Sequence, residues 1–268
     1  MNVNEYKFDI IIQAGQSNAQ GNGMTTPDRQ YKNDRVFQLS ENSLTLYGYG
    51  LLDYSGKGDF EIEPAAFRKS EFRILEDFSE PFADLYINNG FLEKGRKILI
   101  VKAAVGGTGF SLSQWGVKNV LHKRLVDMID YALSLNPENR LVAFLWHQGE
   151  HDAFEQPELN ASEREEFYYN AFKATLEDIR RRYNVCDLPI IAGEFAEDWS
   201  SKNKVSVDAV QKATKRVCSD VGHAAVASSK GLKSNAQANS WSGDDIHFCA
   251  DAIEELGKRY FELYKTVR

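Results

Sequence analysis

Five runs of consecutive apolar residues occur along the chain and predict buried strands. They are apolar on successive positions rather than on every second one, which is typical of parallel strands covered on both faces. The predicted strands are Phe8–Gln13, Lys97–Ala103, Leu141–Trp146, Pro189–Ala192 and His223–Ala227. This pattern favours a parallel sheet at the centre of the molecule.

Stretches with apolar side chains three or four positions apart separate these strands and predict amphipathic helices. Ser79 is a candidate N-cap for the first stretch, and Ser162 and Glu165 form a capping-box pattern that opens the third. The apolar stripes are Phe82 and Leu85; Val117, Leu121, Leu125, Met128 and Ala132; Tyr168, Phe172, Leu176, Ile179 and Tyr183; Val207, Val210, Thr214 and Val217; and Ile253, Leu256, Tyr260 and Leu263. The alternation predicts an α/β fold, a three-layer α/β/α sandwich of flavodoxin-like type around a mainly five-stranded parallel sheet.

One region, at about residues 21–95, departs from this alternation and separates the first two predicted strands. We therefore expect a single domain over residues 1–268 with an inserted loop region at that place. Long loops are commonly functional, so this one is a candidate rim for a ligand site, with inward packing as the alternative. Its candidate stacking residues are Tyr47, Tyr49, Tyr54 and Phe60.

The composition limits the partners that the chain is expected to bind. The 268 residues carry a formal net charge of -7, which argues against nucleic-acid binding. The longest apolar run in the central chain, Leu141–Trp146, is far shorter than the roughly 20 residues that a membrane span needs. Neither nucleic acid nor a membrane is therefore an expected partner. The oligomeric state is not predicted.

The cysteines and the first residues bear on the compartment. Cys186, Cys218 and Cys249 include no CxxC pair and are expected to behave as small buried apolar residues. No secretory signal pattern opens the sequence. We therefore expect a cytoplasmic protein, or a secreted one if a signal peptide has been removed.

Polar segments follow the predicted strands, where an open parallel sheet binds its ligands. Ser17 follows the first strand, and a serine needs a base to become a nucleophile. His247 is the best candidate base, and Asp244 lies three residues before it, so one short loop can hold a carboxylate against the imidazole. Taken separately, Ser17 is more typical of a helix N-cap, and Asp244 of a turn beside a packed histidine.

Two further segments carry candidate hydrogen-bond donors for a developing oxyanion. The glycines of Val105–Gly109 can expose backbone N–H groups, and Gln148 can add a side-chain amide. The alternative for the glycines is a tight turn or a phosphate cradle, although the segment lacks the lysine of a phosphate loop.

A zinc site is the alternative interpretation of the histidines near the third strand. His147 and His151 are four positions apart, with Glu150 and Asp152 beside them. However, they lie on either side of a glycine at a predicted strand end, and the chain has no HEXXH motif there. We predict no metal and no cofactor.

Four segments together resemble the SGNH/GDSL hydrolases, in particular the branch that contains sialate O-acetylesterases and acetylxylan esterase-like carbohydrate esterases. They are GQSNA around Ser17, AAVGGTGF around Gly106, WHQGEHDA around Gln148 and DDIHF around His247. SEPFADL, which begins at Ser79, is similar to a family segment before the second strand. The segments occur in the family's order, so the resemblance covers nearly the whole chain.

The resemblance implies a role for each matched residue. It implies a nucleophile at Ser17, a base at His247 and an orienting acid at Asp244 rather than Asp245. The implied oxyanion hole consists of the N–H of Ser17, the N–H of Gly106, with Gly107 as its nearest competitor, and the amide of Gln148. Glu150 is implied to support the site rather than react.

The activity that the resemblance implies is removal of O-acetyl groups from carbohydrates by a serine esterase, through an acyl-enzyme and without a cofactor. The expected partner is an acetylated sugar or polysaccharide; acetylated xylan, other plant polysaccharides, sialic acids and small acetylated sugars all fit. Two alternatives stay open: a sugar O-acyltransferase that uses the same three residues, and a non-catalytic glycan-binding module.

Overall fold

The five predicted strands all form, and they lie side by side in one sheet. The computed structural model describes residues 2–25, 29–47, 51–70, 73–154 and 158–268. Its strands are β1 (Lys7–Gly15), β2 (Gly23–Thr25), β3 (Val36–Glu41), β4 (Leu44–Tyr47), β5 (Leu51–Tyr54), β6 (Phe60–Pro64), β7 (Arg68–Lys69), β8 (Ile74–Glu76), β9 (Arg96–Lys102), β10 (Arg140–His147), β11 (Ile190–Gly193) and β12 (Ala224–Ala227). Its helices are α1 (Ser17–Gln20), α2 (Ser79–Asn88), α3 (Val120–Ser134), α4 (Glu150–Phe154), α5 (Ala161–Tyr183), α6 (Glu197–Lys202), α7 (Lys204–Val221) and α8 (Ala250–Val267).

The main sheet has seven strands in the order β12-β11-β10-β1-β9-β3-β6. Every neighbouring pair is parallel except β3 and β6, which are antiparallel. β1 lies between β9 and β10 and is buried from Phe8 to its end. The carboxyl ends of these three strands therefore meet in the middle of one sheet edge.

Helices cover both faces of the sheet, as the three-layer prediction requires. The apolar faces of α3, α5 and α7 pack on one side with side chains such as Phe8, Phe144 and Trp146. α2 and α8 pack on the other side with Ile11 and Leu145. Because strand side chains alternate between the two faces, consecutive apolar residues supply both cores. The predicted α/β/α sandwich is confirmed.

Two of the predicted helix starts are wrong in detail. Ser79 is the first helical residue of α2 and not its cap; its Oγ donates to Asp77 Oδ1 at 2.6 Å. The capping box of α5 is formed by Asn160 and Glu163, two residues before the predicted pair of Ser162 and Glu165. The same three-residue spacing occurs there, so a capping box does open α5, two residues earlier than predicted.

Much of the inserted region is regular structure rather than loop. β3 and β6 extend the main sheet, β2, β8 and β7 form a small antiparallel sheet, and β4 and β5 form an antiparallel pair. β3 alternates between buried and half-buried positions, and β6 is largely exposed. Neither strand has the continuous apolar run from which the other five were predicted.

The aromatic residues of this region mostly pack on the protein itself. The Tyr54 hydroxyl donates to Asp127 Oδ2 of α3 at 2.7 Å, and the Phe60 ring stacks on Tyr131 with centroids 4.5 Å apart. Inward packing is therefore the observed state of Tyr54 and Phe60. Tyr47 is 57% exposed, and Tyr49 lies outside the described residues.

The cysteines are all free thiols, and one differs from expectation. Cys218 and Cys249 are buried, as predicted for small apolar residues, but Cys186 is exposed. It follows the carboxyl end of α5, in the connection to β11, where the chain returns to the sheet at the surface. Within the described part of the chain, no helix combines the length and apolar character needed to cross a membrane.

Candidate active site

The end of β1 passes so close to the end of β10 that only glycine fits there. Gly15 has a φ of +129°, and a Cβ on it would overlap the carbonyl oxygen of His147. Gln16 N–H donates to that same oxygen at 2.9 Å, and Val105 N–H donates to Gly15 O at 3.0 Å. These contacts join three strand ends and place Ser17 at the first position of α1.

Ser17, His247 and Asp244 lie in one hydrogen-bonded row. Ser17 Oγ is 2.8 Å from His247 Nε2, and His247 Nδ1 is 2.8 Å from Asp244 Oδ1. Burial would raise the pKa of Asp244, but the hydrogen bond and charge of His247, with the Asn235 amide, outweigh it and lower that pKa. Asp244 is therefore an ionised acceptor that keeps a proton on Nδ1 and leaves Nε2 free to accept one from Ser17.

Asn235, which the sequence analysis did not single out, fixes the orientation of Asp244. Its Nδ2 donates to Asp244 Oδ2 at 2.8 Å, and its side chain is fully buried. Asp245 turns instead to Lys202, with Oδ2 2.6 Å from Nζ. Of the two adjacent carboxylates, the structure brings Asp244 to the imidazole.

Asn18 ties the histidine loop to α1. Its Nδ2 donates to Ile246 O at 3.1 Å and to Glu150 Oε1 at 2.8 Å, and its Oδ1 accepts from Phe248 N–H at 3.2 Å. The residues before and after His247 are thus bonded to the residue that follows Ser17. This explains how two side chains 230 positions apart are held within a hydrogen bond of each other.

Glu150 and His147 form a buried layer below this row. His147 Nε2 lies 3.4 Å from Glu150 Oε1, and His147 Nδ1 lies 3.3 Å from the Tyr260 hydroxyl. Burial alone would raise the pKa of Glu150, but His147 and Asn18 offset it and lower that pKa. Glu150 therefore supports Asn18, and through it the histidine loop.

The histidines do not complete a metal centre. Across the described ranges, no group of three or more His, Cys, Asp or Glu side chains is arranged to hold a metal ion. His147 is committed to Glu150 and Tyr260, and His151 carries contacts of its own.

The candidate oxyanion donors lie in different surroundings. As the first N–H of α1, Ser17 N–H has no acceptor within its own helix. A Cβ placed on Gly106 would lie 3.5 Å from Ser17 Cβ, so Gly106 borders the nucleophile, and its N–H donates to Gln20 Oε1 at 3.1 Å. Gly107 has a φ of +69°, and among the described residues other than its chain neighbours none has an atom within 4 Å of a Cβ placed on it. Gly106, and not Gly107, therefore borders the side chain of Ser17.

Gln148 is buried, and its amide already has acceptors. Its Nε2 donates to Asp152 Oδ2 at 2.6 Å, and Gln16 Oε1 and Thr108 O each lie 3.1 Å away. To serve an oxyanion, this amide must give up one of those acceptors. Its role in the oxyanion hole stays a prediction.

Asp152 organises the glycine segment. Its carboxylate accepts from Phe110 N–H at 3.2 Å and from Ser111 N–H at 2.6 Å, besides Gln148. Burial raises its pKa in spite of those donors. It belongs to the same WHQGEHDA segment as Gln148, and that proximity was the signal that could have identified it.

Comparisons with known proteins identify the family of the chain. The sequence model of a family described as "Carbohydrate esterase, sialic acid-specific acetylesterase" matches residues 7–266. The chain is 23% identical over 238 residues to a probable 9-O-acetyl-N-acetylneuraminic acid deacetylase of Escherichia coli (strain K12), covering 76% of this chain and 72% of that protein.

Solved structures share the fold. The crystal structure of NanS superposes with a TM-score of 0.75 at 19% identity, covering 98% of this chain and 97% of that one. A protein from Arabidopsis thaliana gives a TM-score of 0.69 at 20% identity, covering 97% and 98%. A protein from Parabacteroides merdae, named after the GDSL-like lipases, has the same fold at a TM-score of 0.55, with 12% identity and 99% of each chain covered. This chain therefore belongs to the carbohydrate esterase family of sialic acid-specific acetylesterases, built on the SGNH/GDSL hydrolase fold, and is a carbohydrate O-acetylesterase.

Proposed function

We propose that the chain removes O-acetyl groups from carbohydrates through an acetyl-enzyme on Ser17. The supporting observation is the 2.8 Å separation of Ser17 Oγ and His247 Nε2, within reach for proton transfer. Ser17 Oγ attacks the acetyl carbonyl carbon while His247 Nε2 takes its proton. Asp244 stabilises the imidazolium that results.

The tetrahedral intermediate then collapses toward products. Its oxyanion accepts from the N–H groups of Ser17 and Gly106, and from Gln148 once that amide leaves an acceptor. The C–O bond to the sugar breaks, and His247 gives its proton to the departing sugar oxygen. Water then attacks acetyl-Ser17 while His247 accepts its proton. The bond between Ser17 Oγ and the acetyl carbon breaks, His247 returns the proton to Ser17 Oγ, and acetate leaves.

Replacement of Ser17 tests this mechanism. Ser17→Ala should lower the rate of acetate release from an acetylated sugar by at least about 10³-fold, and a fluorophosphonate should no longer label the protein. Ser162→Ala is the matched control, because Ser162 is exposed on α5 and its hydroxyl is not part of the site. Equal rates for Ser17→Ala and wild type would remove Ser17 from the proposed role.

We further propose that the preferred sugar carries a carboxylate. Two arginines are bonded to the loops of the site: Arg68 Nη2 donates to Gly21 O at 2.6 Å, and Arg73 Nη1 donates to Ser240 O at 2.6 Å. Among the described residues, neither guanidinium forms an ion pair; the charge of Asp77 does act on Arg68, but the Asp77 carboxylate is bonded to Lys102 Nζ at 2.6 Å. In a chain of net charge -7, two such cations beside one site favour an anionic ligand.

The surroundings of both arginines support this substrate class. Asn22, which bonds Arg68, also donates to Ser17 O at 2.8 Å. Arg73 lies 5.3 Å from the ring centroid of Trp241, which is 52% exposed on the loop that carries Asp244. An exposed indole beside a guanidinium suits an acidic sugar, which offers an apolar face and a charge. The name of the Escherichia coli relative specifies such a sugar, N-acetylneuraminic acid.

A pair of substrates tests the charge preference. Arg68→Gln and Arg73→Gln should each lower kcat/KM for 9-O-acetyl-N-acetylneuraminic acid by about 10-fold or more, and leave hydrolysis of a neutral acetylated xylo-oligosaccharide within about 2-fold. Arg35→Gln, an exposed arginine at the start of β3, is the control. Equal losses on both substrates would mean that the arginines support the loops and do not bind the sugar.

A further inference from the structure

Gln20 brings an oxygen to the point where an ester oxygen has to bind. Its Oε1 accepts from the N–H of Gly106 at 3.1 Å. A Cβ placed on Gly106 would lie 3.0 Å from that Oε1 and 3.5 Å from Ser17 Cβ. The amide of Gln20, the backbone of Gly106 and the side chain of Ser17 therefore converge on one small volume.

The local structure imposes this arrangement. α1 is a single turn from Ser17 to Gln20, and residues three apart on a helix have neighbouring side chains. Gly21 N–H donates to Ser17 O at 3.1 Å and closes the turn. Gln20 is exposed whereas Ser17 is only 9% exposed, so the Gln20 amide approaches the Gly106 N–H from the solvent side.

Gly106 N–H has one proton and cannot fully serve two acceptors. We propose that Gln20 is a positioning residue that caps the Gly106 N–H in the resting enzyme and leaves it when the ester binds. The capping oxygen is the neutral amide carbonyl of Gln20. It accepts from the Gly106 N–H until the oxyanion takes its place. This inference rests on the proposed function only for the identity of the group that displaces the cap.

Replacement of Gln20 by the ester oxygen at the Gly106 N–H favours the reaction, because negative charge develops on that ester oxygen. A neutral carbonyl oxygen of the ester competes with Gln20 on roughly equal terms, since both are uncharged acceptors. The oxyanion of the tetrahedral intermediate forms a charge-assisted hydrogen bond about twice as strong as a neutral one, so it displaces Gln20. The displaced amide is exposed and regains its hydrogen bonds from water. The cap thus satisfies the Gly106 N–H in the resting enzyme and yields most readily to the intermediate.

Amide NMR on the ¹⁵N-labelled full chain tests the exchange directly. In the resting protein, Gln20→Ala should move the Gly106 amide proton signal away from its hydrogen-bonded position in wild type. After Ser17 is labelled with a fluorophosphonate, the Gly106 signals of wild type and Gln20→Ala should coincide, because a phosphonyl oxygen is then the acceptor in both. Gln211→Ala on α7 is the control for loss of a glutamine remote from Ser17, and it should leave the Gly106 signal in place.

Labelling rates give a second readout. Gln20→Ala should react with the fluorophosphonate at least as fast as wild type, and up to about 10-fold faster, the value of one hydrogen bond. Gln20→Glu should react at least about 10-fold more slowly, because a carboxylate holds the N–H more tightly. A merely structural Gln20 would slow labelling in both variants, and that result would overturn the proposal.

The two hypotheses fail in different ways. If wild type is not labelled at Ser17, the proposed nucleophile is wrong, whereas the resting spectra still decide whether Gln20 caps Gly106. An identical Gly106 signal in resting wild type and Gln20→Ala would refute the cap, whatever the labelling shows.

Discussion

Replacing Asp244 by asparagine changes the hydrogen bonds of the row Ser17–His247–Asp244 without changing its size. The aspartate accepts three hydrogen bonds: from His247 Nδ1 at 2.8 Å, from His247 N–H at 3.3 Å and from Asn235 Nδ2 at 2.8 Å. An asparagine there has one acceptor oxygen. If that oxygen stays on His247, its NH₂ faces the NH₂ of Asn235 as a second donor.

The other orientation of the asparagine is worse for catalysis. Its NH₂ then donates to His247 Nδ1, so the ring proton moves to Nε2, which faces Ser17 Oγ and can no longer accept the serine proton. In a serine protease with this row, the same change lowers kcat by about 10⁴-fold. We expect a loss of about 10³- to 10⁴-fold in kcat here, or about 4 to 5.5 kcal/mol of transition-state stabilisation at about 1.4 kcal/mol per factor of ten.

Acetate release under saturating substrate measures that loss, and the neighbouring residue supplies the control. Asp245→Asn removes an ion pair with Lys202, whose side chain is 56% exposed, so its effect should stay within about 2-fold. The reasoning is refuted if Asp244→Asn retains more than a tenth of wild-type kcat, or if Asp245→Asn causes the larger loss.

The other predictions concern two residues that position the row Ser17–His247–Asp244, and one buried carboxylate that affects the stability of the fold. Gly15→Ala should destabilise the fold by more than about 3 kcal/mol in urea unfolding, because its φ of +129° and the His147 carbonyl both exclude a Cβ; a smaller loss would contradict the close packing of β1 and β10. Asn235→Ala should lower kcat by about 10- to 100-fold, since Asp244 loses a charge-assisted donor; unchanged kcat would show that His247 alone orients the carboxylate. Burial and the charge of Asp77 raise the pKa of Glu80 to about 8, so folding favours the protonated carboxyl. The free energy of unfolding should therefore fall as the pH rises from about 4.5 to about 8. Glu80→Gln should flatten that dependence in unfolding curves, and an unaltered slope would count against it.

The sequence could predict the central sheet because burial on two faces leaves a strong pattern. Parallel strands covered by helices are apolar on successive positions, and Phe8–Gln13 and Leu141–Trp146 have this pattern. β6 is an edge strand and is mostly exposed, and β3 beside it alternates between buried and half-buried positions, so neither strand has a continuous apolar run. Burial on both faces therefore made five strands predictable from the sequence, and the lack of such burial left the other two without a signal.

The site divides in a similar way between what could and could not be predicted. Ser17, Gly106 and Gln148 follow strands whose carboxyl ends share an edge, so topology alone places them near one another. His247 and Asp244 follow no strand directly; their spacing makes them candidates for a base and its orienting acid, and the resemblance of DDIHF to a family segment supports that assignment. Asn235 lies in an irregular stretch where asparagine is common for turn reasons, so nothing in its neighbours marks its contact with Asp244.

Hydrogen bonds from amide side chains, rather than apolar packing, hold Ser17, His247 and Asp244 in one row. Asn18 bonds the backbone on both sides of His247, and Asn235 bonds Asp244 while its N–H donates to His247 O at 2.9 Å. Apolar packing is tolerant of shape and position, whereas an amide that must satisfy two or three directed partners fixes a loop within a fraction of an ångström. A histidine that must accept a proton from one neighbour and donate one to another needs that precision. This explains why buried asparagines, more than the helices, position His247 across 230 residues of chain.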